Sequence, residues 1–474
     1  MHANSSDLRK ALQEAHDQAI QYLENLDQRS VAATVDVNAL REQLKKPLSN
    51  EGTPPEQVVA ELARDVDGGL LGSAGGRFFG WVIGGSVPAA LAADWLCSAW
   101  DQNAALYATS PAAAVVEEVA GEWLKDLLHL PADASFAFVT GCQMAHVTCL
   151  ATARHALLAR HDWDIEQRGL YGAPPIRILT SQQRHGSLQR AIRLLGLGES
   201  QVEHLSSDAD DRLEPHALER ALSAAPSAPT IVVLQAGDIN IGAFDNFETL
   251  IPLAKRYNAW VHIDGAFGLW AAATPRYEHL LRGADAADSW ATDGHKWLNV
   301  PFDSGYAFVV DREAHRGSMS HRAAYLTHDA VARDEMDWNP DWSRRSRGFA
   351  TYAALRQLGR SGVARIVEDC CEHARSLTLR IGELPGAEML REPLINQGLV
   401  RFLDPRPGAT DADHDQRTEV VIAAILNTGE AFFGGTTWRG RRAMRISVCN
   451  WQTSAEDVDR VLNAVAGVLN GSFE

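Results

Sequence analysis

The sequence predicts an α/β chain: a mainly parallel sheet with helices on both faces, preceded by a helical segment and followed by a small α+β domain. Three observations carry this. Short apolar runs of strand length recur at residues 136–139, 176–179, 231–234, 260–263, 289–291 and 306–310. Helical patterns lie between them, as at 144–159 and 250–257. Polar or glycine-containing junctions follow several runs, where open α/β sheets bind ligands beyond the carboxyl ends of their strands.

Residues 1–80 read as a helical segment. Ser6 caps a helix on which Leu8, Leu12, Ala15, Ala19, Tyr22 and Leu26 recur at spacings of four and three, forming one apolar stripe. Nothing local packs against that stripe, so it docks either on the chain's own core or on a partner subunit. The stretch from Gly68-Gly69 to Gly75-Gly76 reads as a loop, since no strand precedes it and no GxGxxG spacing occurs. The aromatic cluster Phe78, Phe79 and Trp81 follows. Residues 81–345 hold the strand–helix alternation and form the large domain. Residues 346–474 form the small α+β domain: a long helical region at 349–384, strands near 399–402 and 444–448, and a helix from Ala455.

The 474 residues exceed what one hydrophobic core of ~250–300 residues usually organises, consistent with several units. With 46% hydrophobic and 22% charged residues the chain is too apolar for disorder. A formal net charge of −17 argues against a nucleic-acid partner, because phosphate neutralisation needs concentrated Lys and Arg. The six cysteines include no CxxC pair, and the adjacent Cys370-Cys371 is a poor disulfide or zinc framework. Reduced thiols in a cytoplasmic protein are expected. No metal centre is expected, nor any membrane span, since no window approaches ~18 uninterrupted apolar residues.

Three strand-end segments could carry chemistry. Thr140-Gly141-Cys142-Gln143 joins a strand to a helix, and backbone N–H groups at a helix start suit a phosphate. By itself such a segment is more often only a turn. Asp264, in His262-Ile263-Asp264-Gly265-Ala266, ends an apolar strand, where a carboxylate can keep a heterocyclic nitrogen protonated or simply cap a helix. Lys296, in Asp293-Gly294-His295-Lys296-Trp297, lies in an aromatic and histidine setting that can lower a lysine pKa and make it an imine-forming nucleophile. Alone it is equally a solvated charge. Together the three segments form the parts list of a pyridoxal-phosphate (PLP) site.

From about Arg77 to Val468 the chain resembles the group II PLP-dependent amino-acid decarboxylases, which include aromatic-amino-acid, tyrosine and glutamate decarboxylases. The resemblance implies a fold-type I PLP-dependent transferase architecture. Asp288-Ser-Trp-Ala-Thr-Asp-Gly-His-Lys-Trp-Leu-Asn-Val looks like the family's cofactor-lysine segment, which implies that Lys296 forms the Schiff base with His295 beside it. Trp260-Val-His-Ile-Asp-Gly-Ala resembles the strand bearing the pyridinium partner, here Asp264, with Ala266 against the ring. Ser181-Gln-Gln-Arg-His-Gly-Ser resembles the segment whose histidine stacks on the ring, here His185. Phe138-Val-Thr-Gly-Cys-Gln-Met-Ala looks like the phosphate turn, which implies Gly141, Cys142 and Gln143. Trp81 and Arg445 resemble residues that line the substrate pocket; Arg445 could bind a carboxylate bidentately or be a strand-end surface charge.

Two departures stand out. Asp293 occupies a position where members commonly carry Asn or a small residue, so it is not expected to touch a phosphate. The family's loop tyrosine, which protonates the substrate carbon, has Glu335 at or near its place, with Tyr325 the only tyrosine nearby. The expected activity is a PLP-dependent carboxy-lyase on an L-amino acid. An aromatic substrate is expected from the entrance segment Phe78, Phe79 and Trp81, and a homodimer with shared sites from the family likeness. Other PLP chemistry on an amino acid (aldehyde-forming oxidative deamination, Cα–Cβ lysis or transamination) and a PLP-binding protein without turnover are the alternatives.

Overall fold

A computed structural model describes residues 5–321 and 332–471. Its strands are, in chain order, β1 (Phe78–Phe79), β2 (Ser135–Val139), β3 (Arg177–Ser181), β4 (Val202–Leu205), β5 (Thr230–Gln235), β6 (Trp260–Asp264), β7 (Ser289–Asp293), β8 (Gly305–Val309), β9 (Ala387–Arg391), β10 (Gln397–Phe402), β11 (Phe432–Trp438) and β12 (Arg441–Ser447). The early helices are α1 (Ser5–Glu24), α2 (Val37–Leu44), α3 (Pro55–Val66), α4 (Pro88–Trp100), α5 (Pro111–Leu127) and α6 (Cys142–Ala159). The chain divides into two compact units, one of residues 1–83, 373–392 and 398–474, the other of 84–372 and 393–397.

The larger unit is built on a seven-stranded sheet in the order β2-β8-β7-β6-β5-β3-β4. Pairings among β7, β6, β5, β3 and β4 are parallel, while β8 runs antiparallel to both β2 and β7. The reason lies in the connections. Parallel neighbours need a crossover of a dozen or more residues, whereas β7 and β8 are joined by the short segment 294–304 with no helix between them. Lys296 lies in that segment. Both faces of the central strands are covered, so every residue of β2, β5, β6, β7 and β8 is buried.

One face of the sheet packs against α6. Ala137, Val139, Trp260, Ala291, Ala307 and Val309 meet Cys142, Ala145, Cys149 and Ala153 in one apolar cluster. Because side chains alternate along a strand, Asp264 and His262 share that face with Trp260, as Ser289 and Asp293 do with Ala291. The parallel register sets Asp264 opposite Ala291, two residues before Asp293. The sheet thus brings two carboxylates to one edge, above the start of one helix.

The smaller unit holds the sheet β1-β11-β12-β10-β9. The sequence reading passed over β1, β4, β9 and β11. Strand β1 is only two residues long, and its stability comes from parallel pairing of Phe78 with Phe432 and Phe79 with Phe433. Those rings also stack, with centroids 4.6 and 5.2 Å apart. Strand β11 carries Gly434-Gly435, a pair that weakens any strand signal. At Gly435 a Cβ would strike the Arg442 guanidinium of the paired strand. Among the described residues no helix is long and apolar enough to cross a membrane.

Candidate active site

The site is assembled from strand ends of the larger unit. Strand β7 ends at Asp293, and the chain turns at once through Gly294, His295 and Lys296. The turn is clamped: Asn299 takes a left-handed backbone (φ 54) and its Oδ1 accepts the Gly85 N–H at 2.8 Å. Gly84 donates its N–H to the His295 carbonyl at 3.3 Å, and a Cβ at Gly84 would collide with the Lys296 carbonyl. Asn299 and Gly84 therefore fix the backbone of Lys296. Sequence reasoning missed both, because neither carries chemistry of its own.

Lys296 Nζ lies 3.0 Å from Asp293 Oδ2 and faces the Phe267 ring, 5.8 Å from its centroid. The aromatic and histidine setting pointed to a lowered lysine pKa; the structure corrects this. Burial pushes it down most strongly of any one cause, but Asp293, Cys142 and Asp264 together outweigh burial and the lysine pKa is raised. His295 stacks on Phe302 with centroids 4.2 Å apart, and its Nδ1 accepts the Ser304 N–H at 3.2 Å. That leaves Nε2–H facing Asp293 Oδ1 at 3.5 Å. Burial lowers the His295 pKa, so the ring is held neutral.

Asp264 is buried at the end of β6, and its Oδ1 accepts the Ala266 N–H at 3.2 Å. Burial alone would favour the neutral acid. His146 on α6, 3.4 Å from Oδ2, outweighs it together with His185 and Lys296, and holds the carboxyl well below the usual range. His185 caps the helix Gly186–Leu194, its Nδ1 accepting the Ser187 N–H at 3.2 Å. The loop bearing His185 is tied to the sheet by Gln235, whose amide donates to the Gln183 carbonyl at 3.1 Å.

Gly141 caps α6, and Cys142 and Gln143 form the first turn of that helix. A Cβ on Gly141 would press on the His295 ring and the Asp293 carboxylate, and one on Gly305 would strike Gly141 itself, so the two glycines keep a cradle open. The Cys142 N–H donates to Asp293 Oδ1 at 2.5 Å. Asp293, expected to stand clear of a phosphate, is thus seated on the helix-terminal donor that would take one. The Cys142 thiol is pushed up by burial and by the nearby carboxylates.

The remaining candidates lie elsewhere. Trp81 and Arg445 belong to the smaller unit. Trp81 adopts a left-handed backbone (φ 52) and packs on Phe432, with ring centroids 4.8 Å apart. Arg445 is a mid-strand residue opposite Gly434 and only 7% exposed, which removes the surface-charge reading. Glu335 is 1% exposed and accepts from Arg333 Nε at 2.8 Å. Arg333 in turn packs on the Phe136 and Trp338 rings and donates to the Phe136 carbonyl. Glu335, at or near the place of the loop tyrosine, is thus held in an internal ion pair with Arg333. Tyr325 lies outside the described residues.

The arrangement fits PLP: a buried ionised carboxylate for the ring nitrogen, a lysine at the same sheet edge, a histidine near enough to lower the carboxyl pKa, and a glycine cradle with helix N–H groups. The comparisons agree. The family model "Pyridoxal-dependent decarboxylase conserved domain" matches residues 38–403. An aromatic-L-amino-acid decarboxylase of Bacillus atrophaeus is 24% identical over 467 residues, covering 97% of this chain and 95% of that protein. A 4-hydroxyphenylacetaldehyde synthase of Rhodiola rosea is 24% identical, covering 88% of this chain and 85% of that protein. The crystal structure of Oryza sativa TDC with PLP and tryptamine superposes with a TM-score of 0.92 at 23% identity, covering 99% of this chain and 98% of the other. The chain belongs to the pyridoxal-dependent decarboxylases and is a PLP-dependent amino-acid carboxy-lyase.

Proposed function

We propose that the substrate is an aromatic L-amino acid and that Lys296, Asp264 and His185 carry the reaction. The observation that supports this most is the pairing at one sheet edge of a buried, ionised Asp264 with Lys296. When bound, the cofactor supplies an electron sink for the bond broken at the substrate's Cα. Asp264 holds a proton at the ring nitrogen, and His185 covers the ring. Lys296 must act as the neutral amine, and its ammonium proton passes to the nearest base, Asp293 Oδ2 at 3.0 Å. The N-terminus of α6, with Gly141, Cys142 and Gln143, would hold the phosphate, at the helix end where the Cys142 N–H now donates to Asp293. Ala266 and His295 line the ring and the lysine. By family resemblance, Trp81 and Arg445 are assigned to the substrate, Arg445 as a partner for its carboxylate.

An amino-acid panel followed by mass spectrometry tests this reading. Phenylalanine, tyrosine or tryptophan should lose carbon dioxide and give the matching amine. A panel in which no amino acid releases carbon dioxide would sink it. The Rhodiola rosea relative favours one second reading, in which oxygen and water are consumed and the aldehyde, ammonia and peroxide accompany carbon dioxide. Aldehyde that disappears without oxygen would identify that branch.

The working form is a cytoplasmic homodimer. On α1 Leu8 and Leu12 are 60% and 58% exposed, and Val58 and Leu62 of α3 are also exposed. An apolar surface of this kind suits a second copy. Leu8→Glu combined with Leu12→Glu is expected to lower the dimer fraction by light scattering while circular dichroism stays unchanged. An undiminished dimer would remove this face from the interface.

A further inference from the structure

Behind Asp264 lies a buried chain of polar groups that the reaction as described does not use. His146 Nε2 faces Asp264 Oδ2 at 3.4 Å, and its Nδ1 is 2.9 Å from His262 Nε2. His262 Nδ1 is 2.9 Å from Ser289 Oγ, which accepts the Trp260 indole N–H at 3.0 Å. His146, His262 and Ser289 have no solvent exposure.

Read from the Asp264 end, the chain has a consistent direction when each imidazole carries one proton. An indole N–H can only donate, and an ionised carboxylate can only accept. Ser289 Oγ, which accepts the Trp260 N–H, can give its own proton to His262 Nδ1. His262 is then the Nε2–H tautomer and donates to His146 Nδ1, which leaves His146 with Nε2–H to present to Asp264. Burial, with His146 beside it, lowers the His262 pKa to about 3.

We propose that His146 is a positioning residue that fixes the orientation of Asp264 through this buried chain of imidazoles. The inference rests on Asp264 being the ring-nitrogen partner. Other titratable groups around Asp264 are Cys142 of α6, with Sγ 3.9 Å from Oδ1, and beyond it Lys296 and His185. Asp293 of β7 sits on the Lys296 side. Among the described residues, His146 contacts both Asp264 and His262 and so connects the carboxylate to the buried chain.

The test compares wild type, His146→Leu, His146→Gln and Ser289→Ala as holoenzymes. The readouts are the absorbance of bound PLP between pH 5 and 9, and kcat and KM separately. His146→Leu strands Asp264 without its donor. It should move the spectral transition into the titrated range and lower kcat roughly 10- to 100-fold at unchanged KM, the scale of one hydrogen bond to a charged group. Gln presents an N–H at similar reach and should restore most of both. Ser289→Ala should shift the spectrum in the same direction by less, and it answers the question if His146→Leu does not fold. Superimposable titrations across the folded variants, with kcat unchanged, would overturn the inference. A wild type that binds no PLP would instead overturn the reading of the site on which it rests.

Discussion

Lys296→Ala is expected to remove the yellow, borohydride-bleachable chromophore and to lower turnover by at least ~10³-fold, on the scale of losing a covalent nucleophile. Only a lysine amine can link the cofactor covalently, and Lys296 is the lysine held at the strand edge opposite Asp264. The substitution also strands Asp293, so Lys296→Ala with Asp293→Asn is the control for a buried carboxylate left without its cation. Borohydride labelling of another lysine would displace the assignment. The raised pKa of Lys296 gives the wild type a pH signature. Its reactive neutral form becomes more abundant as pH rises toward that pKa, so cofactor capture should accelerate from pH 7 to 9. Asp293→Asn removes the main cause of the raised pKa, so the same acceleration should begin at lower pH. A capture rate flat with pH in both proteins would refute this account of the pair.

Asp264→Asn should keep the cofactor but lower turnover on the order of 10²-fold or more, or ~2.7 kcal/mol of barrier. The amide cannot hold a proton on the ring nitrogen, while the phosphate seat at α6 and the lysine are untouched. The environment of Asp264 shows why the charge matters. Burial works against it, and the surrounding cations and the His146 N–H are arranged to overrule burial. Full activity with bound cofactor in Asp264→Asn would leave that arrangement without a purpose and the assigned role untenable.

The sheet and its edge were legible because parallel strands covered on both faces read as apolar runs, and Asp264 and Lys296 each follow such a run directly. Residues that act through a neighbour were not. His146 falls on α6 at a spacing that also suits core packing beside Cys142 and Cys149, and nothing local reveals that it meets His262. The direction of the Lys296 shift was misjudged for the same reason. Asp293 stands three residues away, but sequence does not show that its carboxylate turns toward the lysine. Glu335 was placed by counting along the chain, whereas burial against Arg333 decides where its side chain lies. Strand β1 escaped notice because two residues carry no periodicity.

The pairing of Phe78-Phe79 with Phe432-Phe433 also sets a timetable. Arg77 is held by the Asp27 and Arg29 carbonyls and by the carbonyl and carboxylate of Glu430, and the Val31 N–H donates to the Gly429 carbonyl. The early residues thus complete their contacts only with the last part of the chain. At a synthesis rate of roughly 5–20 residues per second, Phe78 waits about 20–70 s for Phe432 to be made. The strands of the larger unit all emerge within that interval. During it Phe78 and Phe79 lack their sheet partners. Termination anywhere before Phe432 leaves residues 1–83 without their sheet, however well the larger unit has formed.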